Sequence, residues 1–175
     1  HGVDMRGRIA LVRYGRIFRG LKVRNAERAG AAGVLVYSDP ADDGFAKADP
    51  YPRGQGRPAD AIQRGSVQYV SEGPGDTTTP GWPSAPGARR LKPSEVRGVP
   101  RIPSLPIAWS EAEKLLRALE GPQAPAGWQG GLPFTYHVGP GPAAVRLAVE
   151  MDYAVRPIWN VIATLAGRER PEQEV

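Results

Sequence analysis

The residue types that most often carry enzyme chemistry are scarce in this sequence. Of 175 residues, two are histidine (His1 and His137) and none is cysteine. Thiolate nucleophiles, disulfides and cysteine-ligated zinc are therefore excluded. The two histidines do not form the H-E-x-x-H spacing of a helical zinc site. His137 alternates with aromatic residues in "FTYHVGPGP" and is expected to be a packed or surface histidine, so we expect no catalysis from this chain alone.

Acidic side chains are concentrated in one short segment. Asp39, Asp42, Asp43 and Asp49 all fall within "DPADDGFAKADP". Their spacing does not match the calcium loop of an EF-hand. Aspartate beside proline is typical of turns, in which the carboxylate accepts hydrogen bonds from nearby backbone N–H groups. The pattern therefore favours a solvated turn over a metal site.

The bulk composition indicates a globular domain. Hydrophobic residues make up 41% and charged residues 23% of the chain, and the net charge of +5 comes from arginines and lysines scattered singly along it. A nucleic-acid partner is not expected, because no basic stripe with interleaved aromatic residues occurs. No apolar run approaches the roughly 20 residues that a membrane span needs. The chain starts without Met or a basic-then-apolar leader, and we expect it to be part of a longer protein.

The first 38 residues predict a β-α-β unit. "GRIALVRYG" (7–15) and "VLVYS" (34–38) are short apolar runs rich in β-branched residues, which favours buried strands. Between them, "RGLKVRNAERAGAAG" places small and apolar residues on one helical face, with Gly30 or Gly33 as the stop. A strand, helix and strand at this spacing predict parallel pairing.

Regular patterns are weaker after residue 38. "SVQYV" (66–70) predicts a brief strand, and "GDTTTPGWPSAPGARR" (75–90) predicts a long loop that is either functional or disordered. "IPSLPIAW" (102–109) is extended, with prolines that suit an edge strand. "SEAEKLLRALEG" (110–121) predicts a helix with a Ser110–Glu113 capping box. "PFTYHV", "AVRLAVEM" and "IWNVIATLAG" then predict three further strands, so the fold class is α/β or α+β.

Several motifs together resemble one known family. "RYGRIFRGLKVRNAERAGAAGVLVYSDPAD", "GDTTTPGWP", "RIPSLPI", "YHVGPGP" and "IWNVIATLAG" occur in this order. They resemble the protease-associated (PA) domain of the glutamate carboxypeptidase II family, which includes N-acetylated-α-linked acidic dipeptidases and the transferrin receptors. The resemblance covers essentially the whole chain. It implies a PA-type swivelling β/β/α domain with a central mixed sheet, two main helices and long irregular loops.

The resemblance also implies a domain division. Residues 1–155 would be an N-terminally truncated PA domain, and residues 156–175 would be a linker and the first strand of the following zinc peptidase domain. Peptidases of this family use two zinc ions, and their PA domain forms one wall of the substrate cavity. The zinc ligands would lie beyond residue 175, so this chain should be inactive alone.

Two residues match the family's substrate-binding positions. Arg13, in "RYG", matches an arginine that binds the C-terminal carboxylate of the substrate, a task for which a planar guanidinium suits a planar carboxylate. Ser66, in "QRGS", stands where glutamate-specific members have an asparagine that contacts the substrate's side-chain carboxylate. Serine is shorter and presents a single hydroxyl, so strict glutamate specificity is not expected.

Two further residues match positions that bind a structural calcium ion in the family. Thr79 and Trp82 would each supply an oxygen ligand, with tryptophan where tyrosine is usual. The Trp82 ligand is a backbone carbonyl in the family, which makes the side-chain change tolerable. Calcium takes several oxygen ligands of this kind. The other ligands would come from the protease domain, so the resemblance implies poor calcium binding by this chain in isolation.

The resemblance leaves more than one function open. The first expectation is the substrate-recognition part of a zinc exopeptidase that acts on a peptide or acidic dipeptide. The alternative is a non-catalytic, transferrin receptor-like protein-binding module, and a free-standing PA module is a third reading. The full-length protein would be extracellular or periplasmic, with a membrane anchor as one option, and it would be a homodimer. The partner of this module would be its own protease domain.

Overall fold

A computed structural model of the protein describes residues 2–165 and 167–170. At its centre is a three-stranded parallel sheet whose order is β1 (Ile9–Arg13), β2 (Gly33–Tyr37) and β3 (Ser104–Ile107). Three helices accompany the sheet, namely α1 (Arg19–Arg28), α2 (Pro40–Asp43) and α3 (Trp109–Arg117). A single 3-10 turn covers Ala126–Trp128. The α/β fold class is confirmed, as are the two main helices, α1 and α3.

The predicted β-α-β unit forms as expected. β1 and β2 are parallel, with Ile9 opposite Gly33. Helix α1 ends where the glycine pattern predicts: Gly30 has φ +82°, and the Ala31 N–H donates to the Ala26 carbonyl at 3.0 Å. This left-handed glycine closes the helix by returning the chain onto its last turn. The chain then enters β2, whose five residues are all buried.

The two faces of the sheet bury different side chains. Val23 and Ala26 of α1 pack with Val34 and Val36 of β2 on one face. On the other face, Tyr37 packs with residues of α3 and of the segment after it, a group made up of Ala112, Leu116, Ala124, Leu132 and Tyr136. Burying a side chain of valine or leucine size contributes about 1.5–3 kcal/mol. The second cluster therefore fixes the 124–136 segment against the sheet, although that segment has almost no regular structure.

The predicted edge strand is confirmed, but the predicted helix cap is wrong. β3 pairs only with β2 and ends the sheet. Helix α3 begins one residue earlier than predicted, after Ala108, and no side chain caps its first turn. Ser110 consequently lies inside the helix, and the Glu113 carboxylate accepts hydrogen bonds from Arg117 instead, one of them from Nη2 at 2.7 Å.

The other predicted strands are also wrong. Among the described residues, no strand forms in 66–70, 133–138, 144–151 or 158–165. A strand requires a continuous ladder of backbone hydrogen bonds to a partner, and in these segments such bonds are isolated or absent. The Tyr69 N–H donates to the Gly98 carbonyl at 2.6 Å and His137 makes one isolated bridge with Gln123, while Ile158 and Val161 are 88% and 97% exposed. The described sheet is therefore parallel throughout rather than mixed.

The domain division remains a prediction. Residues 156–165 and 167–170 are exposed and irregular, and they bury nothing that would assign them to this domain or to another. Ala166 and residues 171–175, which belong to the predicted linker and first peptidase strand, lie outside the described residues. Within the described residues, no helix is long and apolar enough to cross a membrane.

Candidate functional site

Arg13 is the last residue of β1 and lies at the carboxyl edge of the sheet. Its register partner on β2 is Tyr37, which is in turn opposite Ile107 on β3. All three strands therefore end at the same level, and the segments that leave them converge there. In parallel sheets this edge is where ligands usually bind. The Arg13 side chain is 23% exposed, so its guanidinium is held by protein on most sides and still reaches solvent.

The Arg13 guanidinium forms a bidentate pair with one carboxylate of the chain, that of Asp42. Its Nε and Nη2 atoms donate to the two carboxylate oxygens of Asp42 at 2.6 and 2.9 Å. Its Nη1 atom donates to the backbone carbonyl of Gln129 at 3.0 Å. The hydrogen bonds to Asp42 raise the pKa of Arg13 further above its ordinary value, with burial acting in the opposite direction. The group is therefore a permanent, oriented cation.

A second carboxylate, that of Asp39, is fully buried beside this pair. It caps α2 by accepting from the Ala41 N–H at 2.9 Å, and it accepts from the Gly131 N–H at 2.8 Å and the Tyr136 hydroxyl at 2.6 Å. Its distance to Arg13 Nη2 is 3.9 Å. The prediction of a solvated aspartate turn is thus wrong for Asp39, because this capping carboxylate faces the protein interior, where distant chain segments complete its hydrogen bonds.

Tyr136 and two glycines make that burial possible. Burial, followed by the hydrogen bond to Asp39, raises the pKa of Tyr136 above its ordinary value, so its hydroxyl remains a donor. A Cβ atom added at Gly130 would clash with the Asp39 carboxylate and the Tyr136 hydroxyl, and one at Gly131 would come within 2.7 Å of the Ala41 nitrogen. Only glycine lets this backbone approach so closely. Sequence analysis missed all three residues, although the "QGGL" glycine pair was a visible signal.

Ser66 is exposed, three residues after Gln63. The segment before it is tethered to the strand ends: the Gln63 carbonyl accepts from the Tyr14 hydroxyl at 2.7 Å, and the Gln63 side chain accepts from the Ser38 hydroxyl at 2.8 Å. The Ser66 hydroxyl oxygen accepts from the Gln68 N–H at 3.1 Å. Within the described residues, no hydrogen bond joins Ser66 to Arg13.

The long loop of residues 75–91 is organised around Asp76. Its Oδ1 accepts from the Thr78 hydroxyl at 2.6 Å, and its Oδ2 accepts from the Ser84 hydroxyl and from Arg90 Nη1, both at 2.6 Å. These bonds, that of Ser84 most strongly, lower the pKa of Asp76 below its ordinary value. The Leu91 N–H also donates to the Thr78 carbonyl at 2.8 Å. The loop is therefore closed by its own polar side chains rather than by regular structure.

Thr79 and Trp82 form one turn inside this loop. Thr79 is 4% exposed, and its carbonyl accepts from the Trp82 N–H at 3.2 Å. Gly81, with φ +86°, makes the turn possible. The Trp82 indole N–H donates to the Arg89 carbonyl at 2.8 Å. The backbone carbonyls of Thr79 and Trp82 are therefore brought into one turn, and carbonyl oxygens are ligands that suit calcium. Two carbonyls supply only part of the roughly six to eight oxygen ligands that calcium takes.

The described residues contain no group of three or more His, Asp or Glu side chains placed to hold a metal ion. The Nδ1 atom of His137 is committed to the Gly121 carbonyl, to which it donates at 2.9 Å. His1 lies outside the described residues. The donor set of the described chain therefore does not fit the two-zinc centre that the family resemblance implies for the longer protein.

Comparison with known proteins identifies the class of this domain. Residues 1–70 match the sequence model of the PA domain family, so the chain contains a PA domain. Over 99% of its length it is 39% identical to Aminopeptidase NAALADL1 of Rattus norvegicus and 41% identical to Transferrin receptor protein 2 of Homo sapiens. Over 98% it is 44% identical to a Probable glutamate carboxypeptidase of Arthroderma benhamiae. These proteins are homologues of the chain over nearly its whole length, and the chain corresponds to 21–25% of theirs.

Proposed function

We propose that this chain is the substrate-recognition PA domain of a di-zinc exopeptidase resembling glutamate carboxypeptidase II. It would line the substrate cavity, where Arg13 would bind the C-terminal carboxylate of a peptide. Support comes from relatives whose names include an aminopeptidase and a probable glutamate carboxypeptidase. Because those relatives are about four times longer than the chain, the reaction itself belongs to the rest of the protein.

One observation carries this proposal: the Arg13 guanidinium holds a carboxylate, that of Asp42, by two parallel hydrogen bonds at the solvent-reaching edge of the sheet. Side-on pairing of this kind is specific for planar anions and is stronger than a contact with a single N–H group. The Gln129 carbonyl fixes the orientation of the guanidinium plane from another side. The same geometry suits the terminal carboxylate of a peptide.

Ser66 and the two zinc ions complete the proposed site: Ser66 would affect substrate selectivity, and the zinc ions would carry the reaction. Ser66, exposed just after the segment that is tethered to the strand ends, would meet the substrate's side chain through one hydroxyl, a shorter reach than that of an amide. The two zinc ions, held by residues outside the described chain, would supply an activated water in the full-length protein. The residues described here would bind and orient the substrate only. The full-length protein would be an extracellular or periplasmic homodimer.

The Thr79 and Trp82 carbonyls would contribute to a calcium ion shared with the protease domain. Their turn depends on Gly81, whose positive φ disfavours any other residue. We expect Gly81→Ala in the full-length protein to weaken calcium binding, measured by calorimetric titration. Gly87→Ala, at a positive-φ glycine elsewhere in the same loop, is the matched control. Equal calcium affinity in the two variants would argue against this ligand pair.

The experiment for Arg13 is steady-state kinetics on the full-length protein. Arg13→Ala and Arg13→Lys should both raise KM for a peptide with a free C-terminal carboxylate, by about tenfold or more, because neither side chain restores two-point binding. Arg6→Ala is the control, since Arg6 is an exposed arginine paired with Asp4 before β1, away from the carboxyl edge. Unchanged KM in both Arg13 variants would refute the assignment.

A second function is favoured by one comparison. The chain is as similar to Transferrin receptor protein 2 as to the peptidases, which supports a non-catalytic protein-binding module as the alternative. The two functions differ in a single measurement. A full-length protein that hydrolyses peptides, and stops when zinc is removed by a chelator, is a peptidase. A protein that has no such activity with zinc present supports the receptor-like alternative.

A further inference from the structure

Asp42 occupies the position on Arg13 that a substrate carboxylate would take. A guanidinium has five N–H donors. In Arg13, Nε and Nη2 donate to the two oxygens of Asp42, and Nη1 donates to the carbonyl of Gln129. The side-on edge, which gives the strongest carboxylate binding, is therefore filled from within the chain. A ligand can use that edge only if Asp42 leaves it.

Of the two carboxylates beside Arg13, Asp42 is the one that can leave. The Asp39 side chain is completely buried and has three hydrogen-bond donors of its own. The Asp42 side chain is 41% exposed. In the described part of the chain, its carboxylate accepts hydrogen bonds from Arg13 alone. Rotating it into solvent would break two hydrogen bonds, whereas moving Asp39 would leave a buried carboxylate and several buried donors unpaired.

The local charge balance also indicates that Asp42 opposes the binding of an anion at Arg13. Lys22 of α1 interacts electrostatically with both Arg13 and Asp42, and burial, followed by the positive charge of Arg13, lowers its pKa. Arg13 and Lys22 together balance the two carboxylates, so the cluster as it stands offers no net attraction to an anion. Removing the charge of Asp42 would leave an excess positive charge and an open guanidinium edge.

We infer that Asp42 is an internal competitor of the substrate carboxylate at Arg13 and thereby sets the affinity of the site. The inference rests on the proposed function of Arg13 and extends it. Asp42 acts by occupying the Nε and Nη2 donors of Arg13. A ligand therefore binds there only when its own carboxylate replaces that of Asp42. A neutral C-terminal amide cannot make that exchange, which makes Asp42 a determinant of selectivity for acids over amides.

The test uses the full-length protein and a peptide with a free C-terminal carboxylate. Asp42→Asn should lower KM by about three- to tenfold, with kcat little changed, because the competing charge is gone and only binding is affected. Asp42→Glu, which keeps the charge, should stay close to the wild type. Asp43→Asn is the matched control: it removes the same charge from the same short helix, but Asp43 pairs with Arg57 at 2.8 Å instead.

The outcomes separate this inference from the proposed function. If Asp42→Asn leaves KM unchanged or raises it while Arg13→Ala still raises KM, Asp42 is not a competitor, and the proposal that Arg13 binds the substrate carboxylate stands. If Asp43→Asn lowers KM as much as Asp42→Asn, the effect is one of general charge and the inference is overturned. If Arg13→Ala has no effect, the proposed function fails and this inference fails with it.

Discussion

Tyr136 donates a 2.6 Å hydrogen bond to the Oδ2 atom of Asp39, which lies 97 positions earlier in the chain. The contact connects the segment after α3 to the turn after β2, directly behind Arg13. Asp39 is fully buried and Tyr136 is 3% exposed. The bond therefore joins two distant chain segments beside the Arg13 side chain, whose Nη2 atom lies 3.9 Å from Asp39 Oδ1.

Removing that hydroxyl should destabilise the domain. Tyr136→Phe leaves the Asp39 carboxylate short of one donor in a site without water access, which we expect to lower the free energy of unfolding by about 1–3 kcal/mol. Urea denaturation followed by circular dichroism measures the change. Tyr51→Phe, at a tyrosine that is 77% exposed, is the control. A Tyr136→Phe protein as stable as the control variant would show that the bond contributes little.

The close approach at Gly130 gives a second prediction. Gly130→Ala places a methyl group against the Asp39 carboxylate and the Tyr136 hydroxyl, and the forced displacement should cost about 1–3 kcal/mol. Gly127→Ala is the matched control, because an added Cβ there meets nothing within 4 Å. Thermal unfolding of the two variants should differ clearly, with Gly130→Ala unfolding at the lower temperature. Equal melting temperatures would contradict the close packing described here.

Asp76 predicts a dependence of stability on pH. Its pKa in the folded chain is lowered from the ordinary 3.8 by the Ser84, Thr78 and Arg90 hydrogen bonds. A lowered folded-state pKa means that the ionised side chain adds stability above pH 3.8, and that this contribution disappears as the pH falls through the folded-state value. Asp76→Asn should therefore be less stable than the wild type at pH 7, by about 1 kcal/mol.

The difference between wild type and Asp76→Asn should shrink steadily below pH 3.8. Urea unfolding at a series of pH values between neutral and strongly acidic measures it. Asp60→Asn serves as the control, since Asp60 is exposed and its carboxylate has no hydrogen bond within the described residues. A gap between Asp76→Asn and wild type that stayed constant down to strongly acidic pH would exclude Asp76 as its source.

Local patterns were sufficient for part of the fold. β1, α1 and β2 were predicted because each is encoded by its own run of residues, and the stop at Gly30 needs only one left-handed residue. The prolines of β3 correctly indicated an edge strand. The strand predicted for "AVRLAVEM" did not form, because its alternating apolar residues (Val145, Leu147 and Val149) indicate which face a strand would bury but not whether a partner strand exists. In the described residues no partner is present, and the segment stays irregular.

From the sequence, Arg13 could be singled out as a candidate, but its contacts could not. Arg13 was singled out by its motif, but its pairing with Asp42 across 29 positions depends on how the turn after β2 folds back over the strand ends. The burial of Asp39 depends on Gly131, 92 positions away. Charge and turn propensity are local properties, whereas burial of a carboxylate is decided by distant segments, which is why this aspartate was wrongly predicted to be solvated.

The most direct test of carboxylate binding by Arg13 compares two substrates in the full-length protein. One is a peptide with a free C-terminal carboxylate, and the other is the same peptide with a C-terminal amide. If Arg13 binds the carboxylate, the wild type should prefer the acid by about tenfold or more in kcat/KM. Arg13→Ala should abolish most of that preference by slowing the acid and leaving the amide nearly unchanged. A preference for the acid that survives intact in Arg13→Ala would contradict the account.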